Sequence, residues 1–305
     1  MAAIGRRTLG SRRKVVVLSI FSAALAAVLV GPPLTIPASA STGPVTGNAR
    51  HGTYLALGDS VAFGYVPPDA TPAPNYYDAH SFVSYANDVA QALDERVFNA
   101  SCPGETTASM LYPGAQSNGC ENSVTSPVGY RTLYPLHVQY QGTQTAYAVR
   151  FLTDHKDTGL VTIDIGANDA FVCEATAPDH CRTLTEFSAV GKEIETNLAA
   201  ILEQIRAVYH GPLVVLDYYS LTYATATQDL LSTLLNGFIN TAAAGFTVLT
   251  ANGYGAFETA SAAYGGSPCN AGLLVPVPGG TCDIHPSLLG HQVLAKAILA
   301  ALGAG

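Results

Sequence analysis

The stretch "YLALGDSVAFGY", residues 54–65, decides the fold. It starts as an unbroken apolar run and ends at Gly58, Asp59 and Ser60. A run without polar alternation reads as a strand buried on both faces, which a parallel sheet covered by helices requires. Four further stretches have the same character: "RVFNAS" (96–101), "GLVTIDIG" (159–166), "PLVVLDY" (212–218) and "FTVLT" (246–250). Longer helical patterns separate them. Ser81 opens "SFVSYANDVAQAL" as a capped amphipathic helix, and Thr185 opens "TEFSAVGKEIETNLAAILEQIRAVYHG", which closes at a glycine. Residues 142–155, 227–243 and 287–302 read as further helices. This alternation predicts an α/β fold: a five-stranded parallel sheet between two helical layers, with any site at the carboxyl ends of the strands.

Of the 305 residues, 48% are hydrophobic and 12% charged, enough for a sizeable core and against disorder. The first forty residues form a separate unit. Arg6, Arg7, Arg12, Arg13 and Lys14 precede an apolar run from Val15 to Val30, and "PASA" ends at Ala40. This is the pattern of a secretory signal peptide over 1–40, leaving 41–305 as the exported catalytic domain. The apolar run falls short of the roughly 20 residues a spanning helix needs, so no membrane anchor is expected after cleavage. Without the five basic residues of the leader, nine remain against 22 acids, a net charge of −13. Such a surface does not suit nucleic acid or anionic lipid headgroups.

All six cysteines lie in the exported part: Cys102, Cys120, Cys173, Cys181, Cys269 and Cys282. An even count in an oxidising compartment predicts three disulfides. Six cysteines allow 15 connectivities. Pairing of neighbours is expected, 102 with 120, 173 with 181 and 269 with 282, because each pair falls within one inter-element loop. No C-x-x-C occurs, which argues against zinc. The loops over 61–80, 102–141, 170–184 and 251–284 are long enough to need either a function or a pin.

Serine at a strand-to-helix turn can expose its hydroxyl while its own N–H helps bind an oxyanion. Taken alone, Gly-Asp-Ser is more often a plain Asx-turn or helix cap, and Ala62 stands where G-x-S-x-G has its second glycine. "GANDAF" (166–171) follows the third strand in the same relative place and offers the Asn168 amide; "NASCPGETT" (99–107) offers the Gly104 N–H. His51, His80, His137, His155, His180 and His210 lack a matching partner and read as solvated. His291 reads as packing locally on the last helix. His285 differs: Asp283 is close by and Pro286 follows it. Asp59 and Asp169 read as loop-shaping residues.

Serine after the first strand, glycine after the second, Gly-x-Asn-Asp after the third and His-Pro before the last helix, in that order, resemble the SGNH (GDSL-type) hydrolase family. The resemblance spans about Thr53 to Leu302. It implies a flavodoxin-like three-layer sandwich, Ser60 as nucleophile, His285 as base, and an oxyanion hole of Ser60 N–H, Gly104 N–H and the Asn168 side chain. There are two departures. Val61 replaces the leucine of the GDSL name, and the family's D-x-x-H would put its acid at 282, which is Cys282. His285 is then oriented either by Asp283, if the chain bends there, or by a backbone carbonyl near Cys282.

These readings lead to a secreted bacterial serine esterase or lipase acting on carboxylic esters, monomeric and without metal or cofactor. The alternatives are a polysaccharide O-acetylesterase of the same fold and a non-catalytic glycan-binding relative. The displaced acid motivates the binding reading. Lipid, alkyl or acetylated-glycan esters are the substrates in view, and acyl transfer to an acceptor other than water stays open.

Overall fold

The computed structural model describes residues 52–304; the leader expected over 1–40 and the polar stretch over 41–51 lie outside the described residues. Each of the five apolar stretches quoted between residues 54 and 250 contributes a strand: β1 (Thr53–Gly58), β2 (Arg96–Asn99), β3 (Thr158–Asp164), β4 (Leu213–Leu216) and β5 (Leu249–Ala251). They form one parallel sheet in the order β2-β1-β3-β4-β5. This is the flavodoxin-like order, whose topological switch point lies between β1 and β3. Tyr54, Leu55, Leu57, Val161, Ile163, Val214 and Leu216 are all but fully buried, as central parallel strands require.

The helices are α1 (Ser60–Phe63), α2 (Tyr85–Leu93), α3 (Thr107–Leu111), α4 (Tyr130–Leu133), α5 (Gln144–Asp154), α6 (Ala167–Thr176), α7 (Leu184–Arg206), α8 (Ala226–Ala244), α9 (Gly253–Ser261) and α10 (Leu288–Ala301). Helices α2, α9 and α10 pack together, as do α5, α7 and α8, giving the three-layer α/β/α sandwich. Two helix starts differ from expectation. Ser84, not Ser81, caps α2: its Oγ accepts from Ala86 N while Asn87 Oδ1 accepts from Ser84 N, and Ser81 instead closes a short 3₁₀ turn. Thr183, not Thr185, caps α7, its Oγ1 accepting from Glu186 N. In both places hydroxyl residues recur within a turn, and only the capping hydrogen bond selects one.

The stretch 251–284 is not a plain loop. It holds α9 and an antiparallel hairpin of β6 (Leu274–Val277) and β7 (Thr281–Pro286). Pro276 and Pro286 masked these strands, because proline lacks the ladder N–H. The first part of 170–184, through Thr176, is likewise helical, as the end of α6. The hairpin register breaks where it matters. Pro276 pairs with Cys282 and Leu274 with Pro286, so Val275 alone spans Asp283, Ile284 and His285. That excess on β7 is a bulge, a feature that re-aims side chains.

The carboxyl end of β1 is fixed by close approach and by a buried amide. Gly58 has φ +135°, and a Cβ there would lie 2.1 Å from the Asp164 carbonyl on β3. Gln144 at the start of α5 accepts from Gly58 N at 2.6 Å and donates through Nε2 to Gly58 O at 3.0 Å and to Glu105 Oε2 at 3.1 Å. Glu105 is buried, accepts from Ser109 Oγ, and lies against the Cys102–Cys120 disulfide. Burial pushes its carboxyl up to about 8, only partly offset by the Ser109 and Gln144 hydrogen bonds.

A carboxyl that binds its proton more tightly folded than unfolded stabilises the fold at low pH. It loses that contribution as pH rises from the unfolded value toward the folded one. The window for Glu105 is therefore about pH 4.5 to 8. Wild-type thermal stability should fall between pH 5 and pH 9, and Glu105→Gln should fall less over the same interval in paired melting curves. Parallel loss in both proteins would show that Glu105 is not the titrating group.

Candidate active site

Three strand ends meet at the switch point. Ser60 is the first residue of α1, directly after β1; Asn168 lies in the first turn of α6, after β3; Gly104 lies between β2 and α3. The bulge in β7 brings His285 to them: its Nε2 is 2.9 Å from Ser60 Oγ. Its Nδ1 is hydrogen-bonded to Asp283 Oδ1, which also accepts from the His285 backbone N–H at 3.0 Å. The chain thus bends where Asp283 needed it to bend, and the carboxylate rather than a carbonyl lies on Nδ1.

Burial alone would raise the Asp283 carboxyl. The His285 side chain, its charge and nearby backbone N–H groups outweigh that and hold it below the ordinary value. The imidazole is held from outside as well. Tyr219 Oη donates to Ile284 O at 2.6 Å, the Tyr65 ring lies 4.8 Å from the imidazole between centroids, and the Cys269–Cys282 disulfide anchors β7 just before the bulge.

Among the described residues, the Ser60 and Gly104 amides have no protein acceptor. Both border a cavity of about 260 Å³ together with Asn168, Asn118, Tyr65 and Tyr130. Gly104 needs its glycine: φ is +81°, and a Cβ would sit 2.5 Å from Asn118 O. Asn168 Nδ2 donates to Asp59 Oδ2 at 3.0 Å, which leaves its second Nδ2 proton for a ligand.

Asp59 is more than a loop-shaping residue. Fully buried, it caps α1 by accepting from Val61 N at 2.9 Å through Oδ1, and its Oδ2 accepts from Tyr218 Oη at 2.6 Å as well as from Asn168. Burial pushes its pKa up to about 6; the Tyr218, Val61 and Asn168 hydrogen bonds and His285 hold it from going higher. Asp164, beside it at the end of β3, is raised well above the usual carboxylate range by burial and by the Asp59 charge. Asp169 does shape its surroundings, accepting from Thr107 N at 2.9 Å and so tying α6 to α3.

A second cavity of about 510 Å³ also borders Ser60 and His285. Phe171 on α6, Phe187 on α7, Leu231 and Leu235 on α8, Tyr219 and Ile284 give it apolar walls. Sequence reasoning missed this cavity, because its lining comes from three helices that meet only in the fold. It also missed Tyr218 and Asn118, whose partners are distant in sequence.

Of the histidines read as solvated, His137 and His155 are not. His137 lies against Phe63, 4.5 Å between centroids, with Nε2 3.0 Å from Phe63 O, and burial lowers its pKa. His155 stacks on Phe151. His51 lies outside the described residues. His291 packs as expected: buried, it accepts from Tyr85 N through Nδ1 at 3.2 Å, and burial lowers its pKa to about 3. The disulfides are Cys102–Cys120, Cys173–Cys181 and Cys269–Cys282, the neighbour pairing. Among the described residues one metal-type group, Cys102, Glu105 and Cys120, lies together, but both sulfurs are bonded to each other. No helix of the described residues is long and apolar enough to cross a membrane.

The fold is similar to that of LAE5, an alpha/beta hydrolase enzyme from the metagenome of Lake Arreo, Spain, at 16% identity and a TM-score of 0.51, covering 83% of this chain and 95% of that one. A protein from Parabacteroides merdae described as a GDSL-like lipase matches at 14% identity and a TM-score of 0.49, with 84% and 97% covered. An acetylxylan esterase from Geobacillus stearothermophilus matches at 16% and 0.46, with 83% and 94% covered. No curated protein matches the sequence. The sequence profile of the GDSL-like lipase/acylhydrolase family matches residues 56–293, a span that holds Ser60, Gly104, Asn168, Asp283 and His285. The chain belongs to that family and is a carboxylic ester hydrolase.

Proposed function

We propose that this protein is an exported serine esterase or lipase that works through an acyl-enzyme on Ser60. The observation that carries the reading is the line Ser60 Oγ, His285 Nε2, His285 Nδ1, Asp283 Oδ1, continuous in hydrogen bonds. In this reading Ser60 Oγ attacks the ester carbonyl carbon and passes its proton to His285 Nε2. Asp283 holds the tautomer and stabilises the imidazolium. The carbonyl oxygen becomes an oxyanion held by Ser60 N–H, Gly104 N–H and Asn168 Nδ2. His285 then returns the proton to the departing alcohol. Water, deprotonated by the same imidazole, attacks the acyl carbon and releases the acid and Ser60.

The larger cavity supports an apolar chain on the ester. At about 510 Å³ it is sized like a pocket for a whole small ligand, roughly 300–1,000 Å³, rather than for an acetyl group. Removal of acetyl groups from a polysaccharide is the second reading, and the smaller cavity with Tyr65 and Tyr130 favours it, since tyrosine faces suit sugar rings. The displaced acid motivated a non-catalytic binding protein; with Asp283 against His285 that motive is gone. Export is supported by the leader pattern over 1–40 together with the three disulfides.

On p-nitrophenyl esters from acetyl to palmitoyl, the protein from Ser41 onward should show hydrolysis that vanishes in Ser60→Ala, with its optimum at an acyl chain longer than acetyl. An acetyl optimum would favour the deacetylase, and turnover unchanged by Ser60→Ala would end the serine mechanism. Replacing the acid, Asp283→Ala should lower kcat by about 10³-fold or more, the order seen for orienting acids in serine hydrolases. A loss below about tenfold in steady-state assays would remove Asp283 from the triad.

A further inference from the structure

An asparagine amide can serve an oxyanion in only one of its two orientations, because rotation about its last bond exchanges a donor for an acceptor in nearly the same volume. Asn168 is held on both sides. Its Nδ2 donates to Asp59 Oδ2 at 3.0 Å, and its Oδ1 accepts from Asn118 Nδ2 at 2.8 Å. The bonds run in one direction, Asn118 to Asn168 to Asp59. A joint flip of both amides would turn Asn168 Oδ1 onto the Asp59 carboxylate, acceptor against acceptor.

Asn118 touches the other donor too. It lies two residues before Cys120, whose disulfide returns to Cys102, two residues before Gly104. Its backbone N–H donates to Gly104 O at 2.7 Å. The missing Cβ of Gly104 is the space that the Asn118 carbonyl occupies. One half-buried residue in the loop between α3 and α4 therefore contacts both donors that the nucleophile does not itself supply.

We infer that Asn118 is a positioning residue of the oxyanion hole: it holds the Asn168 amide with an Nδ2 proton toward the reacting carbonyl and sets the Gly104 N–H in register with it. The inference rests on the assignment of Gly104 and Asn168 as oxyanion donors. It accounts for the short closed loop from Cys102 to Cys120, since small displacements of preorganised donors are what such a site tolerates least. Asn118→Asp keeps the shape of the side chain but replaces the donor with an acceptor that competes with Asp59 for Asn168 Nδ2.

The test is a double-mutant cycle with Asn168→Ala, read as kcat and KM on p-nitrophenyl butyrate with far-UV circular dichroism on every variant. Asn168→Ala should lower kcat about 10²-fold, the scale of one lost oxyanion donor. Asn118→Ala should lower kcat by about tenfold with KM changed less than about twofold, and Asn118→Asp should lower it further. In the Asn168→Ala background, Asn118→Ala should cost less than about twofold, because its effect passes through Asn168. The same loss in both backgrounds, or a loss confined to KM, overturns the inference and leaves the site reading standing. Full kcat in Asn168→Ala overturns the oxyanion assignment and this inference with it. Should Asn118→Ala fail to fold, the isosteric Asn118→Asp carries the same cycle.

Discussion

The buried carboxylate of Asp59 gathers the ends of three strands. It caps the helix that starts with Ser60 after β1, holds the Asn168 amide after β3, and takes the Tyr218 hydroxyl after β4. A carboxyl buried this deeply would otherwise stay protonated, because moving the ion out of water costs several kcal/mol. Three donors and the nearby His285 offset part of that cost and leave its pKa at about 6. The site's geometry depends on that balance. With the charge in place, Val61 N, Asn168 Nδ2 and Tyr218 Oη must all point at one atom pair. Ser60 and the Asn168 amide are thereby fixed relative to each other by one side chain.

His285 comes from another part of the chain by a different device. A regular β7 would continue its pairing past Cys282, but β6 is too short by two residues to match it. The excess residues bulge outward, and in the bulge Asp283 can bond both the backbone N–H and the ring Nδ1 of the residue two places on. A carboxylate one position nearer than the family spacing therefore still reaches the His285 Nδ1. The compensation lies in the backbone, not in a replacement side chain.

Each disulfide closes a segment in or beside the candidate site. Cys102–Cys120 encloses Gly104 and Asn118, Cys173–Cys181 closes the end of α6 along the wall of the larger cavity, and Cys269–Cys282 fixes the hairpin before the bulge. Loops rich in glycine and proline gain little from secondary structure, so covalent closure limits the conformations they can visit. The sheet supplies the rigid frame and the bridges extend it into the loops.

The layered fold was legible because its signals are local: apolar runs for buried parallel strands, capped periodic stretches for helices. Ser60, Gly104, Asn168 and His285 were legible because each follows or precedes such an element at a fixed place. The starts of α2 and α7 are not legible in the same way, since Ser81 and Ser84, or Thr183 and Thr185, look alike until the capping hydrogen bonds exist. What the sequence by itself determined was the order of strands and helices and the four blocks of chemistry at their ends. The tertiary structure alone decided that Asp283 reaches His285, that Asp59 and Asn118 hold Asn168 from opposite sides, and that three helices enclose an apolar cavity beside Ser60. Those outcomes depend on strand register and on contacts between residues tens to more than a hundred positions apart, which no local pattern encodes.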